Sequence, residues 1–125
     1  IFNTWVPRIP EAAAAQAEKR VESWGSLEWL ASKQIGNAKG LTLGRVIIKP
    51  GQCNPRHRHN ACEEILYLLA GTLEHSVGEK TIVLRAGDTL TAPAGVFHNA
   101  VNIGDVDADM IVAYDSGARD FELET

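Results

Sequence analysis

Short apolar runs separated by turn residues make up most of the chain. Beyond residue 40, runs such as LTLGRVIIK (41–49), ILYLLA (65–70) and TIVLR (81–85) are bounded by Pro, Gly, Asn or Asp. Runs of this length, rich in β-branched residues and closed by turn residues, are typical of β-strands. Turn signals recur about every 6 to 12 positions, which predicts an all-β sandwich or barrel.

The segment 10–23 has a different pattern. Pro10 and Glu11 suit the first turn of a helix, and the residues that follow, AAAAQAEKR, are strong helix formers. Gly25 is a plausible stop. We therefore predict one short N-terminal helix near residues 10–23.

The predicted organisation is a single domain in three parts. An N-terminal arm and helix occupy residues 1–25, and a β-barrel occupies residues 26–115. The tail at 116–125 is polar with one apolar pair, which fits either a loose end or an edge strand. At 125 residues, one domain is large enough to bury a real core.

Composition narrows the possible partners. The chain is 45% hydrophobic and 22% charged, as in ordinary globular proteins, and its net charge is −4. No basic run stands out to neutralise phosphates, so we expect no nucleic-acid partner. The longest apolar run, 65–70, is too short to span a bilayer, and the first residues do not resemble a secretory signal. Cys53 and Cys62 are most simply reduced thiols, so we expect a cytoplasmic protein.

Three of the four histidines lie in two short stretches. His57 and His59 are separated by one residue, which on a strand places both imidazoles on one face. Two acids, Glu63 and Glu64, follow, and the odd offset of Glu64 from His59 requires a turn or bulge at 60–62 if Glu64 is to rejoin the histidines. His98 comes from the second stretch. Since imidazole is the commonest protein metal ligand at neutral pH, three His and one Glu predict a mononuclear metal site.

The spacing in both stretches resembles the two motifs of the cupin family. In the first, a glycine is followed at the expected intervals by H-x-H, a glutamate and a second glycine: Gly51, His57, His59, Glu64 and Gly71. In the second, the matching positions are Gly87, Pro93, Gly95, His98 and Asn102. The motifs span residues 51–102, and the flanking strands fit a small single-domain cupin.

This resemblance implies a cupin jelly-roll β-barrel, also called a double-stranded β-helix, with a metal inside. The implied ligands are His57, His59, Glu64 and His98. Glu63 fits the family spacing to the histidines but not to Gly71, so the ligand role is carried to Glu64. Family members use iron, manganese, nickel, zinc or copper, and this ligand set does not discriminate among these divalent transition metals.

The family resemblance also implies a small-molecule partner. The leading hypothesis is a metal-dependent enzyme acting on an oxygen-chelating substrate, with dioxygenase-type oxidation ranked before isomerase or lyase chemistry. The alternatives are a cupin that binds a sugar or hormone-like ligand without turnover, and a scaffold with a structural metal. No second general base is obvious in the sequence, which favours chemistry driven by the metal itself.

The sequence also predicts, less directly, where some side chains near the motifs point. His75 lies outside both motifs, and a surface or hairpin position is expected for it rather than a cavity position. Arg56 and Arg58 alternate with the histidines, so they should point away from the metal. Leu66 and Leu68 share the parity of Glu64 and should line an apolar cavity.

A homodimer is the expected assembly. Cupin sheets commonly pair through their outer faces. The N-terminal segment contains Phe2, Trp5 and Val6, which would be awkward in water as a loose arm. We expect this segment to cross to the partner or to pack beside it.

Overall fold

A computed structural model describes residues 9–125 and confirms the all-β prediction. The strands are β1 (Glu18–Glu22), β2 (Gly25–Ala31), β3 (Thr42–Ile48), β4 (His57–Arg58), β5 (Glu64–Ala70), β6 (Thr72–Val77), β7 (Lys80–Arg85), β8 (Thr89–Ala92), β9 (His98–Asn102), β10 (Ala108–Tyr114) and β11 (Glu122–Leu123).

The strands form two antiparallel sheets that face each other as a jelly roll. One sheet has six strands in the order β1-β2-β3-β10-β5-β8, and the other has five in the order β11-β4-β9-β6-β7. Burial alternates along β3, β5 and β10, so one face of each strand points between the sheets. The largest fully buried apolar side chains are Ile48, Leu68, Leu73, Met110 and Val112.

The helix predicted near residues 10–23 is wrong. The structure has a single 3-10 turn at Ala14–Gln16, and the chain then enters β1, which pairs with β2. A short Ala-rich segment has no apolar stripe that could pack against the barrel, and nucleating an isolated helix is costly. Backbone hydrogen bonds to β2 are therefore favoured over a helix. None of residues 9–125 forms a helix with the length and apolar character needed to cross a membrane. The expectations for Phe2, Trp5 and Val6 lie outside the described residues.

The C-terminal tail, which the sequence left undecided, is an edge strand. β11 pairs with β4, with Glu122 opposite Arg58 and Leu123 opposite His57. The ion pair between Arg58 and Glu122, at 2.9 Å, supports this register. The tail therefore closes the sheet that carries the H-x-H pair.

One residue of each motif, Asn102 of the second and Gly71 of the first, stabilises the fold away from the histidines. Asn102 is fully buried, and its amide donates to the carbonyls of Ile48 and Val106, both at 2.8 Å. Gly71 has φ of +92°, and a Cβ there would lie 2.8 Å from the Cα of Ala108. Only glycine allows so close an approach of β10 with this backbone conformation.

Candidate metal centre

Four side chains from both sheets converge between them. His57 lies on β4 and His98 on β9, directly paired in one sheet, while Glu64 begins β5 in the other sheet. His59 lies just after β4. The ligand atoms of the four residues all lie within 4.8 Å of one another, and all four residues are buried. The structure thus brings together the four predicted ligand residues in one cluster.

The odd offset of Glu64 from His59 is resolved by a change of sheet. After His59 the chain bends at residues 60–61 and crosses to β5, so the alternation of a single strand no longer applies. Glu64 is 6% exposed and faces the histidines, whereas Glu63 is exposed. The assignment of the carboxylate to Glu64 agrees with this placement.

A glycine turn sets the position of His98. Gly95, with φ of +79°, lies in the turn between β8 and β9, and its N–H donates to the carbonyl of His59 at 2.8 Å. A side chain at this φ would strain the turn. The turn therefore holds the start of β9 against the H-x-H segment.

Backbone carbonyls fix the orientation of all three imidazoles. Nδ1 of His57 lies 2.7 Å from the carbonyl of Pro55, Nδ1 of His59 lies 2.5 Å from that of Asp120, and Nδ1 of His98 lies 3.1 Å from that of Val96. A carbonyl oxygen can only accept a hydrogen bond, so each Nδ1 carries the proton. Each Nε2 then presents a lone pair, which is the arrangement that a hydrogen bond from the other ring nitrogen gives to metal-binding histidines.

These lone pairs face a carboxylate. Oε1 of Glu64 lies 3.1 Å from Nε2 of His59 and 3.3 Å from Nε2 of His98. Without a positive charge among them, these acceptors would repel one another. A proton can bridge one such contact, and a divalent ion among all four ligands would satisfy every lone pair at once. The residues present therefore fit a metal ion.

The pKa shifts of Glu64, His98 and His57 reflect the same contacts and the burial of the cluster. Burial raises the pKa of Glu64, but the hydrogen bonds and charges of His59 and His98 outweigh it, so the net pKa lies well below the usual value. Burial works to lower the pKa of His98, yet the hydrogen bond and charge of Glu64 raise it overall. For His57, burial dominates and lowers the pKa to about 4.

A cavity of about 340 Å³ opens onto the cluster. His57, Glu64 and His98 line it, so an ion held by the cluster would be within reach of a small molecule. Its other walls are largely apolar and include Trp24, Leu27, Trp29, Val46, Leu66, Met110, Val112, Tyr114 and Phe121. Of the two leucines predicted to line it, Leu66 does so, while Leu68 is buried in the core.

His75 lines this cavity, and its expected surface position is wrong. It is 2% exposed, and its ring stacks on that of His98 with centroids 5.8 Å apart. Its Nδ1 lies 3.2 Å from the carbonyl of Ser76, which leaves Nε2 as an acceptor. Its position on the inner face of β6, in step with the buried Leu73, was the available signal.

The segment before β11 completes the site. Phe121 stacks on the imidazole of His57 with centroids 4.8 Å apart. The carboxylate of Asp120 accepts from the backbone N–H groups of Asn60 and Ala61 at 2.5 and 2.9 Å. These residues lie in the tail, where the sequence showed no motif, so pattern reasoning missed them.

The two arginines of the H-x-H segment point away from the cluster, as predicted. Arg56 pairs with Glu124 at 3.1 Å, and Arg58 pairs with Glu122 while lying 4.4 Å from the centre of the Phe97 ring. These contacts clamp β4 against the tail. Their role is therefore structural support of the segment that carries the ligands.

Several known proteins share part of this sequence. A germin-like protein of Arabidopsis thaliana, subfamily 2 member 1, is 37% identical over 87 residues, covering 64% of this chain and 39% of the relative. An oxalate oxidase of Triticum aestivum is 34% identical over 88 residues, with 64% and 39% covered. The chain thus spans about two fifths of the length of the curated relatives it matches.

Solved structures show the same fold. The Lactobacillus farciminis oxalate decarboxylase, as a formate complex, superposes with a TM-score of 0.81 at 22% identity, over 87% of this chain and 34% of that one. A recombinant oxalate oxidase in complex with glycolate gives a TM-score of 0.74 at 25% identity, over 80% and 55%. The first of these likenesses concerns the fold alone.

The family itself is shown by a profile match. The profile described as "Cupin domain" matches residues 44–114, more than half of the chain, and includes every residue of the four-ligand cluster. With the jelly roll and the motif spacing, this match shows that the chain belongs to the cupin domain family.

Proposed function

We propose that this chain is a metal-dependent enzyme that acts on a small molecule with two neighbouring oxygen atoms. Its metal ligands are His57, His59, Glu64 and His98. The observation that carries the proposal is the convergence of three imidazole lone pairs and one carboxylate at the wall of a cavity. A purely structural metal would need no such opening.

The cavity limits the substrate class. About 340 Å³ admits a small molecule and not a polymer. A divalent ion with four protein ligands supplies a Lewis acid with open positions, at which neighbouring oxygens can bind and be polarised. Hydroxy acids, enediols, diketones and dicarboxylates offer such oxygens. Relatives named oxalate oxidase favour oxidation first, with isomerase or lyase chemistry second.

The chain's own groups prepare this chemistry. Apolar walls exclude water, which strengthens electrostatic interactions with a bound substrate. The neutral His75 can accept a hydrogen bond from a substrate hydroxyl at Nε2. The phenol of Tyr114 keeps its proton, since burial raises its pKa and the neighbouring Glu64 carboxylate raises it further. Tyr114 is thus a neutral wall group beside the carboxylate ligand.

The test begins with elemental analysis of protein purified without added metal. The protein is then stripped, reloaded separately with Fe²⁺, Mn²⁺, Ni²⁺, Zn²⁺ and Cu²⁺, and incubated with oxalate, glycolate, an enediol and a diketone. Oxygen uptake and product mass report turnover. We expect one loaded form to consume one substrate class, and Glu64→Gln to abolish this while Glu63→Gln does not.

Two outcomes would redirect the proposal. Binding of a chelator without turnover by any loaded form would favour a ligand-binding cupin. Failure of every chelator to perturb the spectrum of the Co²⁺- or Cu²⁺-loaded protein would favour a closed structural site.

A further inference from the structure

An arginine from the tail lies over the aromatic wall of the cavity. The guanidinium carbon of Arg119 is 4.0 Å from the centre of the Trp29 ring, 5.5 Å from that of Tyr114 and 5.8 Å from that of Phe121. Arg119 is half-buried and lines the cavity. Stacking on a ring face holds the guanidinium in place and leaves its N–H edge free to bind an acceptor.

Among residues 9–125, no carboxylate lies within ion-pair distance of Arg119. The other arginine of the cavity wall, Arg20, pairs with Glu22 at 3.2 Å. Residues 1–8 contain no Asp or Glu, so their side chains offer no carboxylate either. A partly desolvated guanidinium that donates no hydrogen bond to residues 9–125 favours binding of an anion, above all a carboxylate that matches its fork.

Arg119 lines two adjoining hollows. A second hollow of about 520 Å³ adjoins the cavity and shares Arg20, Trp29, Arg119 and Phe121 with it. Three cations, Arg20, Lys33 and Arg119, line this outer hollow against one carboxylate, Glu18, so positive charge predominates. An anion approaching from outside would therefore meet positive charge before it reaches the apolar interior.

One layer of aromatic rings separates Arg119 from the metal ligands. Phe121 stacks on His57 at 4.8 Å, and Tyr114 meets the ring of His59 edge-on at 4.9 Å. Both rings also lie beneath the guanidinium. A ligand that contacts both Arg119 and the metal ligands must place an apolar body along this layer of rings.

We propose that Arg119 anchors the carboxylate of an aryl or alkyl carboxylic acid whose other end faces the four-ligand cluster. Oxygen atoms at that other end would bind the metal, and this half of the assignment rests on the proposed function. The proposed binding of the ligand carboxylate by Arg119 rests only on Arg119 and the aromatic wall. It makes Arg119 a specificity-determining residue that selects acids over their neutral counterparts.

The test uses ligands without chelating groups on chelator-treated protein. Calorimetry compares 3-phenylpropionate with the isosteric, neutral 3-phenylpropanamide. We expect the acid to bind more tightly than the amide, and Arg119→Gln to weaken the acid roughly tenfold or more while leaving the amide unchanged. Arg119→Lys keeps the charge and should retain part of the preference. The matched control is Arg20→Gln, which removes the paired arginine and should have a much smaller effect.

Several outcomes decide the matter. Equal affinity of acid and amide for the wild type, or equal loss in Arg20→Gln and Arg119→Gln, would overturn the anchor. Circular dichroism and thermal melting show whether each variant is folded, and the charge-preserving Arg119→Lys supplies the comparison if Arg119→Gln is not. Acid selectivity in a protein that neither binds metal nor turns over substrate would uphold the anchor and refute the proposed function.

Discussion

Nδ1 of His59 lies 2.5 Å from the backbone carbonyl of Asp120, although the two residues are 61 positions apart. A proposed metal ligand is thus oriented by the C-terminal tail. The side chain of the same Asp120 binds the N–H groups of Asn60 and Ala61, directly after that histidine. One tail residue therefore holds both the imidazole and the bend that carries the chain to Glu64.

Asp120→Ala should weaken metal binding although Asp120 is not a ligand. Two backbone N–H groups lose a charged acceptor, so we expect a loss of about 1–2 kcal/mol in stability. Looser orientation of His59 should reduce metal affinity roughly tenfold. Isothermal titration with Zn²⁺ measures this. Asp88→Ala, which removes the 2.8 Å bond from the Arg85 N–H in a remote turn, is the control and should leave affinity unchanged.

Glu64→Gln should separate metal binding from folding. The amide is isosteric, so the variant should fold, but it loses the charge whose interaction with His59 and His98 holds the pKa of Glu64 low, so the metal-free protein should melt below the wild-type temperature. Loss of the carboxylate should reduce metal affinity roughly 100-fold or more. Glu63→Gln, on the exposed neighbour, should bind as the wild type does. Equal affinity in both variants would contradict the ligand assignment.

The metal-free protein should lose stability in acid, partly through His75. Burial, assisted by the charge of His98 and opposed by that of Glu64, lowers the pKa of His75 from 6.5 to about 4. The unfolded chain therefore takes up a proton first, and the contribution of His75 to stability is complete above about pH 6.5 and falls until about pH 4. Between pH 7 and pH 5 this amounts to about 2 kcal/mol.

Urea unfolding of chelator-treated protein at these two pH values measures the effect. Because His57 has a similarly lowered pKa, the wild type should show losses from both residues, partly offset by His98, whose pKa is raised in the folded protein. His75→Gln should remove the contribution of His75. The free energy of unfolding of the variant should therefore change less between pH 7 and pH 5 than that of the wild type. The same pH dependence in wild type and variant would place His75 outside the buried interior.

The two cysteines should react differently with iodoacetamide. Cys53 is exposed, whereas Cys62 is buried, and burial together with nearby Asp120 and Asp115 raises the pKa of the Cys62 thiol. Intact-mass spectrometry at neutral pH should show one rapid adduct per native chain and a second only after unfolding. Cys53→Ser should abolish the rapid adduct. Rapid modification of Cys62 would contradict its burial.

The homodimer remains a prediction, and among the described residues the outer face of the six-stranded sheet offers a surface for it. Ile65, Tyr67 and Leu69 alternate on β5 and are 47%, 43% and 46% exposed, which forms an apolar patch. Light scattering should give twice 13.6 kDa. Tyr67→Glu should shift the mass toward the monomer. Ile82→Glu, at a residue 52% exposed on β7 of the other sheet, should not.

The sequence alone predicted the strand-dominated fold and the proposed ligand cluster. The resemblance to the cupin motifs implied the ligands His57, His59, Glu64 and His98, and it selected Glu64 over Glu63 although simple strand alternation did not. The apolar runs predict strands for a local reason. The strands depend on neighbours close in sequence, which a linear pattern records, whereas the cluster joins Glu64 to His98, 34 positions away, and was predicted through the family motifs.

Only the tertiary structure showed the positions of residues that depend on partners distant in sequence. Residues 18–22 have the propensity of a helix, yet they pair with β2, since ladder bonds and packing outweigh weak intrinsic preference. His75 is buried because the face of β6 that carries it points between the two sheets, and its step of two from Leu73 was the one local sign of this. Arg119, Asp120 and Phe121 belong to a polar tail in the sequence. Only the pairing of β11 with β4 carries that tail back across the cavity and makes it part of the candidate site.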